Sequence, residues 1–188
     1  MDDPERHGEL LSLFDWYFRT KGNILGRMAE SRPQHEFLDP EEWESWGALM
    51  LLHRSVLREL DAELSRGPGM AVSEFDVLIT LFNAPDRRLR MSQLADRVLL
   101  SPAGTTHLVT RLERDRLVRR EVDPADGRKW FAVLTDVGDH ALAAARPIHN
   151  DVLRRTLLAA TSPTDRRTLR RLWHRLSERK ANPLSSRE

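Results

Sequence analysis

The chain has 188 residues, 40% of them hydrophobic, and no cysteine, which leaves material for a real core but excludes disulfides, thiolate metal sites and thiol-based sensing. No stretch approaches the roughly 18 uncharged apolar residues of a membrane span, and the acidic start Met1-Asp2-Asp3-Pro4-Glu5 is unlike a secretory leader, so a soluble intracellular protein is expected. The net charge of +1 hides an asymmetry: residues 1–45 carry 5 basic and 11 acidic side chains and 46–86 carry 3 and 6, whereas 87–130 and 131–188 each carry 11 basic and 6 acidic.

From Glu9 to about Met28, Leu10, Leu11, Phe14, Trp16, Tyr17, Ile24, Leu25 and Met28 recur as an amphipathic helix would place them, and Ser31–Phe37 reads as a linker. Asp39-Pro40-Glu41-Glu42 is a helix start, with Asp39 as N-cap and Pro40 at the first helical position. That helix is expected over Pro40–Ser65, with Leu49, Met50, His53, Val56, Leu57, Leu60 and Leu64 as its apolar stripe, and Arg66-Gly67-Pro68-Gly69 ends it. Ser73 followed by Asp76 resembles a capping box and opens a short helix carrying Val77, Leu78, Leu81 and Phe82.

A helix over Ser92–Val98, a break at Leu99-Leu100, and a helix capped by Ser101 with Pro102 in its first turn make a helix-turn-helix pair. Leu117–Val122 and Lys129–Thr135 alternate as strands around the turn residues Asp123-Pro124-Ala125-Asp126-Gly127. Helix resumes after Thr135-Asp136, breaks near Ala160–Ser162 and restarts at Ser162-Pro163, the last helix showing Leu169, Leu172, Trp173 and Leu176 at helical spacing. Trp43, Trp46 and Trp173 are expected in a core or a dimer interface.

In the second helix of the pair, Ala103, Thr106, His107, Thr110 and Arg114 fall on one side, small and polar, and Thr105, Leu108, Val109 and Leu112 fall opposite. Such a helix fits the major groove of DNA, about 12 Å wide, and its first turn offers free amides to phosphate. An ordinary surface helix would show the same mixed face, and solvated arginine-rich helices would give the same basic half. What favours DNA is the order: a turn-linked helix pair, then a hairpin with Arg128 and Lys129 at its tip, where a guanidinium suits the minor groove. The candidate contacts are Ser101, Pro102, Ala103, Thr105, Thr106, His107, Thr110, Arg111, Arg128 and Lys129; Thr105 is carried in this set although the spacing turns it inward.

The stretch Leu89-Arg90-Met91-Ser92-Gln93-Leu94-Ala95-Asp96-Arg97-Val98, continued through Ser101-Pro102, Arg111-Leu112-Glu113, Leu117-Val118-Arg119-Arg120 and Asp123-Pro124, resembles the MarR family of transcriptional regulators. Asp126-Gly127-Arg128, then Val133-Leu134-Thr135 and Gly138, is similar to that family's wing and the motif after it. The resemblance covers about residues 43–180 and implies a mainly α fold with a small β wing, a winged helix-turn-helix in an interleaved helical homodimer. It implies a repressor that leaves its double-stranded DNA operator when a small, often aromatic, effector binds. The implied organisation is an N-terminal helical extension and linker at 1–38, dimerisation regions at 39–66 and 136–182, and a DNA-binding lobe at 70–135.

Two residues depart from the family pattern: His107 stands where Arg is frequent, and Arg116 stands where a helix-ending Gly precedes Leu-Val. The added N-terminal helix resembles the urate-responsive branch, and by position Trp16, Asp76, His107 and Arg119 correspond to its ligand site; the plainer reading is packing for Trp16, helix capping for Asp76, and phosphate contact or solvation for Arg119. No Gly-rich phosphate loop, Gly-x-Ser-x-Gly or His-Glu-x-x-His occurs, so no enzyme is expected. No cofactor is expected, and of the seven histidines only His140 and His149 are candidates to meet, so no metal site is expected either. The competing class is a helical protein-interaction module whose winged helix no longer touches DNA.

Overall fold

The computed structural model describes residues 38–98 and 100–181; the helix expected over Glu9–Met28, including Trp16, and the linker after it lie outside the described residues. The chain divides into two compact units, residues 1–54 and 55–188, and helix α1 (Pro40–Arg66) runs through the boundary. In the first unit the start of α1 is built as its sequence implies. The Glu42 amide donates to Asp39 Oδ1 at 2.9 Å, and the Asp39 amide donates to Glu42 Oε2 at 2.9 Å. This reciprocal pair satisfies two amides that the helix leaves without partners.

In the second unit the chain continues from α1 through α2 (Val72–Phe82), a tight turn (Pro85–Arg87), β1 (Arg88–Arg90), α3 (Met91–Ala95) and α4 (Pro102–Arg114). The hairpin β2 (Val118–Asp123) and β3 (Asp126–Leu134) follows, then α5 (Asp136–Leu153), which widens into a π turn at Arg154–Leu158, and α6 (Pro163–Ala181). The three strands are antiparallel in the order β1-β3-β2. The core gathers Leu64 from α1, Phe75, Leu78 and Leu81 from α2, Leu94 from α3, Val109 and Leu112 from α4, Val118 and Leu134 from the hairpin, and Leu142 from α5.

Two local expectations are corrected. The capping of α2 does not use Ser73 and Asp76: the helix begins two residues earlier than Asp76 would require, and the Glu74 carboxylate accepts the Ala71 amide at 2.8 Å while Asp61 Oδ1 accepts the Val72 amide at 3.1 Å. His140 and His149 do not meet, because nine residues along α5 turn them to opposite sides; His149 instead stacks on Phe75 at 4.2 Å between ring centroids. The strand β1 was not foreseen. Its Leu89 is buried between two arginines, and the turn before it holds Asp86 and Arg87 at φ of 51° and 53°, a left-handed backbone that non-glycine residues adopt at a cost.

The Leu-Thr-x-x-Gly stretch after the wing has a physical reason here. The Thr135 hydroxyl accepts the Gly138 amide at 3.0 Å, capping α5, and donates to the Arg116 carbonyl at 2.7 Å, tying α5 to the end of α4. A Cβ on Gly138 would sit well inside contact distance of the Leu117 carbonyl oxygen. Arg116 itself takes φ 61°, and the Leu117 amide donates back to the Leu112 carbonyl at 2.8 Å, so the helix ends in the loop a glycine would make, with arginine in its place.

α6 starts as expected at Ser162, whose hydroxyl accepts the Asp165 amide while Asp165 Oδ2 accepts the Ser162 amide at 2.9 Å. Its apolar stripe is uncovered in the protomer: Leu169, Leu172, Trp173 and Leu176 are all exposed, Trp173 to 66%. No helix among the described residues is long and apolar enough to cross a membrane.

Candidate nucleic-acid interface

Helix α4 presents two chemically distinct sides. Leu108, Val109 and Leu112 are buried against α2, α3 and the sheet, which holds the helix by its apolar stripe and turns Ala103, Thr106, His107 and Thr110 outward. Ser101 Oγ accepts the Gly104 amide at 3.1 Å, and Pro102 occupies the first turn without needing a donor partner. Ser101, Pro102 and Ala103 are exposed at this helix start. Thr105 is a correction: it is fully buried, and its hydroxyl donates to the Ser101 carbonyl at 3.0 Å, so it braces the helix and has no access to a ligand.

The outward threonines are constrained. Thr106 Oγ1 donates to the Pro102 carbonyl at 3.0 Å and Thr110 Oγ1 donates to the Thr106 carbonyl at 2.9 Å. With its proton committed inward, the Thr106 hydroxyl offers outward an acceptor and a methyl group. Thr110 also accepts from Arg120 Nη2 at 2.6 Å, and Arg120 Nε donates to Glu113 Oε2 at 2.9 Å, so β2 is stitched to the C-terminal half of α4. Arg111 is half exposed, with its guanidinium 3.0 Å from Glu74 Oε1, which links α4 to the start of α2.

At the far end of the hairpin, Arg128 is 94% exposed. Its amide donates to Asp126 Oδ1 at 3.1 Å, its Nε lies 3.5 Å from the same oxygen, and Lys129 Nζ is 3.1 Å from Asp126 Oδ2. The Arg128 amide, then Lys129, hold the Asp126 carboxyl below the ordinary aspartate range. At the base of the turn Asp123, 2% exposed, accepts from Arg90 Nε at 2.8 Å and from the Ala125 amide at 2.9 Å, anchoring the wing to β1. Arg88 and Arg90 both lie over the Phe131 ring, at 5.1 and 5.7 Å.

Most cations of the basic stretch are therefore leashed to carboxylates, and the positive excess works as a field more than as a row of free ligands. Sequence reasoning missed Arg90, Arg120 and Asp123, whose partners lie 33, 10 and 33 residues away in the chain, too far for local pattern to show.

Of the residues placed by position in an effector site, Trp16 lies outside the described residues. Asp76 is half-buried on α2, His107 is exposed on α4, and Arg119 pairs with Glu121 at 3.0 Å on the sheet face away from α4, since alternation gives α4 the Arg120 side. No cluster of three His, Cys, Asp or Glu side chains suited to a metal occurs among the described residues.

A helix pair with its second helix outward, followed by an anchored hairpin and the three-stranded sheet, defines a winged helix-turn-helix protein. The MarR family model matches residues 69–129. A MarR family transcriptional regulator from Streptomyces coelicolor, solved in complex with DNA, is 32% identical, with 79% of this chain covering 91% of that one at a TM-score of 0.70. The chain belongs to the MarR family. The regulator MhqR of Bacillus subtilis is 35% identical over 97 residues, 52% of this chain and 65% of that protein. The first curated relatives are matched over 54% to 65% of their length. BpsR of Bordetella bronchiseptica, whose DNA binding is regulated by 6-hydroxynicotinic acid, shares the fold alone at 18% identity, 78% coverage of this chain and 98% of that one, and a TM-score of 0.62.

Proposed function

We propose that the chain is a cytoplasmic, sequence-specific transcriptional regulator, a repressor, that binds duplex DNA as a homodimer and leaves it when a small aromatic or anionic molecule binds. The observation that carries the reading is the pairing of an outward, small, polar face on α4 with a fully exposed Arg128 on an anchored wing. The helix enters the major groove, with Thr106 and His107 against base edges and the Ser101 start against phosphate. Arg128 enters the flanking minor groove, leaving Asp126 for a site of stronger negative potential. Arg111, tied to Glu74, positions the helix. The exposed stripe of α6 supports the second copy: four large apolar side chains in a row are interface material. Release by an effector is carried over from BpsR, a neighbour in fold whose DNA binding is regulated by 6-hydroxynicotinic acid, and Trp16, Asp76, His107 and Arg119 are the residues proposed for it.

The test is fluorescence anisotropy on the intergenic duplex beside its own gene against a scrambled duplex, across a salt series. Tight, salt-sensitive binding that prefers the native duplex is expected, and Arg128→Ala weakens it by about 1 to 3 kcal/mol and lowers the salt slope by about one. Equal affinity for both duplexes, or an unchanged Arg128→Ala variant, overturns the reading.

A further inference from the structure

The wing carries an apolar feature that neither the α4 face nor the arginine tip uses. Trp130 and Val122 stand opposite each other in the β2–β3 register, and both are exposed, Trp130 to 45% and Val122 to 47%. The indole and the isopropyl group form one small apolar rung, half in water, on a hairpin otherwise rich in charged residues. Alternation along β3 places Trp130, Ala132 and Leu134 on one face, the register places Val122, Arg120 and Val118 beside them, and the pairing shifts beyond Val122, where the turn carries Arg128. From the base outward that face runs from buried Leu134 and Val118, to Arg120 bonded to Glu113 and Thr110 of α4, to the Trp130–Val122 rung. Along the hairpin the rung thus lies between Arg120, which is bonded to the recognition helix, and the turn that carries Arg128.

We propose that the Trp130–Val122 rung is a contact for the sugar-phosphate backbone of duplex DNA, with the indole plane on deoxyribose and its Nε1–H donated to a phosphate oxygen. The inference rests on the DNA-binding reading above. A duplex that receives α4 in its major groove and Arg128 in the adjacent minor groove carries one backbone strand between the two grooves, opposite this rung. That strand alternates an apolar sugar with an anionic acceptor, and tryptophan alone among side chains combines a large apolar plane with a single donor and no acceptor. Arg128, 94% exposed just beyond the rung, matches the charge of that strand and favours it over an apolar partner as the occupant.

The experiment measures anisotropy for the full chain and for Trp130→Ala, Trp130→Phe and Arg128→Ala, on the intergenic duplex and a scrambled one across a salt series, with tryptophan emission recorded in parallel. Trp130→Ala weakens both duplexes by the same factor, roughly tenfold, and leaves the salt slope unchanged because no cation is removed. Trp130→Phe keeps part of the affinity, and the change in tryptophan emission on adding DNA is lost with it. Arg128→Ala is the control for the parent reading, since it lowers the slope. If Arg128→Ala is impaired while Trp130→Ala binds within about twofold of the parent, the rung has no part in binding and this inference alone fails. If the parent chain binds neither duplex, the regulator reading and this inference fail together. A Trp130→Ala chain whose oligomeric state changes also overturns it, by making the rung a protein contact.

Discussion

Two amphipathic helices of this chain, α4 with two arginines and α6 with six, are finished in different ways. α4 has its apolar stripe covered within the protomer, by Leu108, Val109 and Leu112 in the lobe core, so its outer side is held in a fixed orientation. α6 carries Leu169, Leu172, Trp173 and Leu176 in open water beside Arg166, Arg167, Arg170, Arg171 and Arg175. Arginine content therefore says little about which helix meets nucleic acid; whether the apolar side is already covered says more. A covered helix has a polar face left to work with, and an uncovered one has a partner still to find.

The largest effect expected from this contrast is on assembly. Leu172→Glu combined with Leu176→Glu places two carboxylates in each copy of the proposed interface and raises the dimer dissociation constant on the order of a thousandfold or more, read by sedimentation equilibrium, while the lobe stays folded. A double variant that remains dimeric breaks the contrast. On the α4 side, Leu112→Ala lowers unfolding stability by about 2 to 5 kcal/mol in urea titration, because the side chain is completely buried. A loss under about 1 kcal/mol would mean that the stripe of α4 is no better covered than that of α6.

Smaller changes sharpen the comparison at the helix ends. Arg116→Gly relieves the left-handed backbone that closes α4 and raises stability by up to about 1 kcal/mol, the gain trimmed by glycine's freedom in the unfolded chain. At the start of α6, the Ser162 hydroxyl and then the Ser162 amide hold Asp165 below the ordinary aspartate range. A depressed carboxyl stabilises the fold above its unfolded pKa and loses that contribution as pH falls through its folded value. The α6 cap should persist through the ordinary aspartate range and fail only below it. Carboxyl carbon NMR shows this directly, and a titration of Asp165 together with free aspartates would refute the cap.

What was readable in the chain follows from the range of the interaction responsible. Asp39, Ser101 and Ser162 announce helix starts because a cap and its amide are three residues apart. The polar and buried sides of α4 are readable from helical period, and by that rule Thr105 belonged inside. Glu74 in place of Ser73 and Asp76 was hidden because Ala71 offers no side chain to mark the cap. β1 was hidden because three residues with one apolar side chain carry no period. The Asp123–Arg90 and Arg120–Thr110 links join elements that only the tertiary fold brings together, and they are what turns a hairpin into a fixed wing.

The Thr135–Gly138 joint has a consequence for the spacing of DNA sites. Because the Thr135 hydroxyl grips the end of α4 and Gly138 lies flush with the Leu117 carbonyl, α5 leaves the lobe in one direction only. In a dimer whose two recognition helices span half-sites about 34 Å apart, that joint behaves as the corner of a drafting square, carrying the angle of one arm to the other. An alanine at 138 would then be felt less in how well one lobe grips its half-site than in which distance between half-sites the pair accepts. On the proposed dimer, the accepted spacer length would then be set in part at the α4–α5 joint, away from the recognition face.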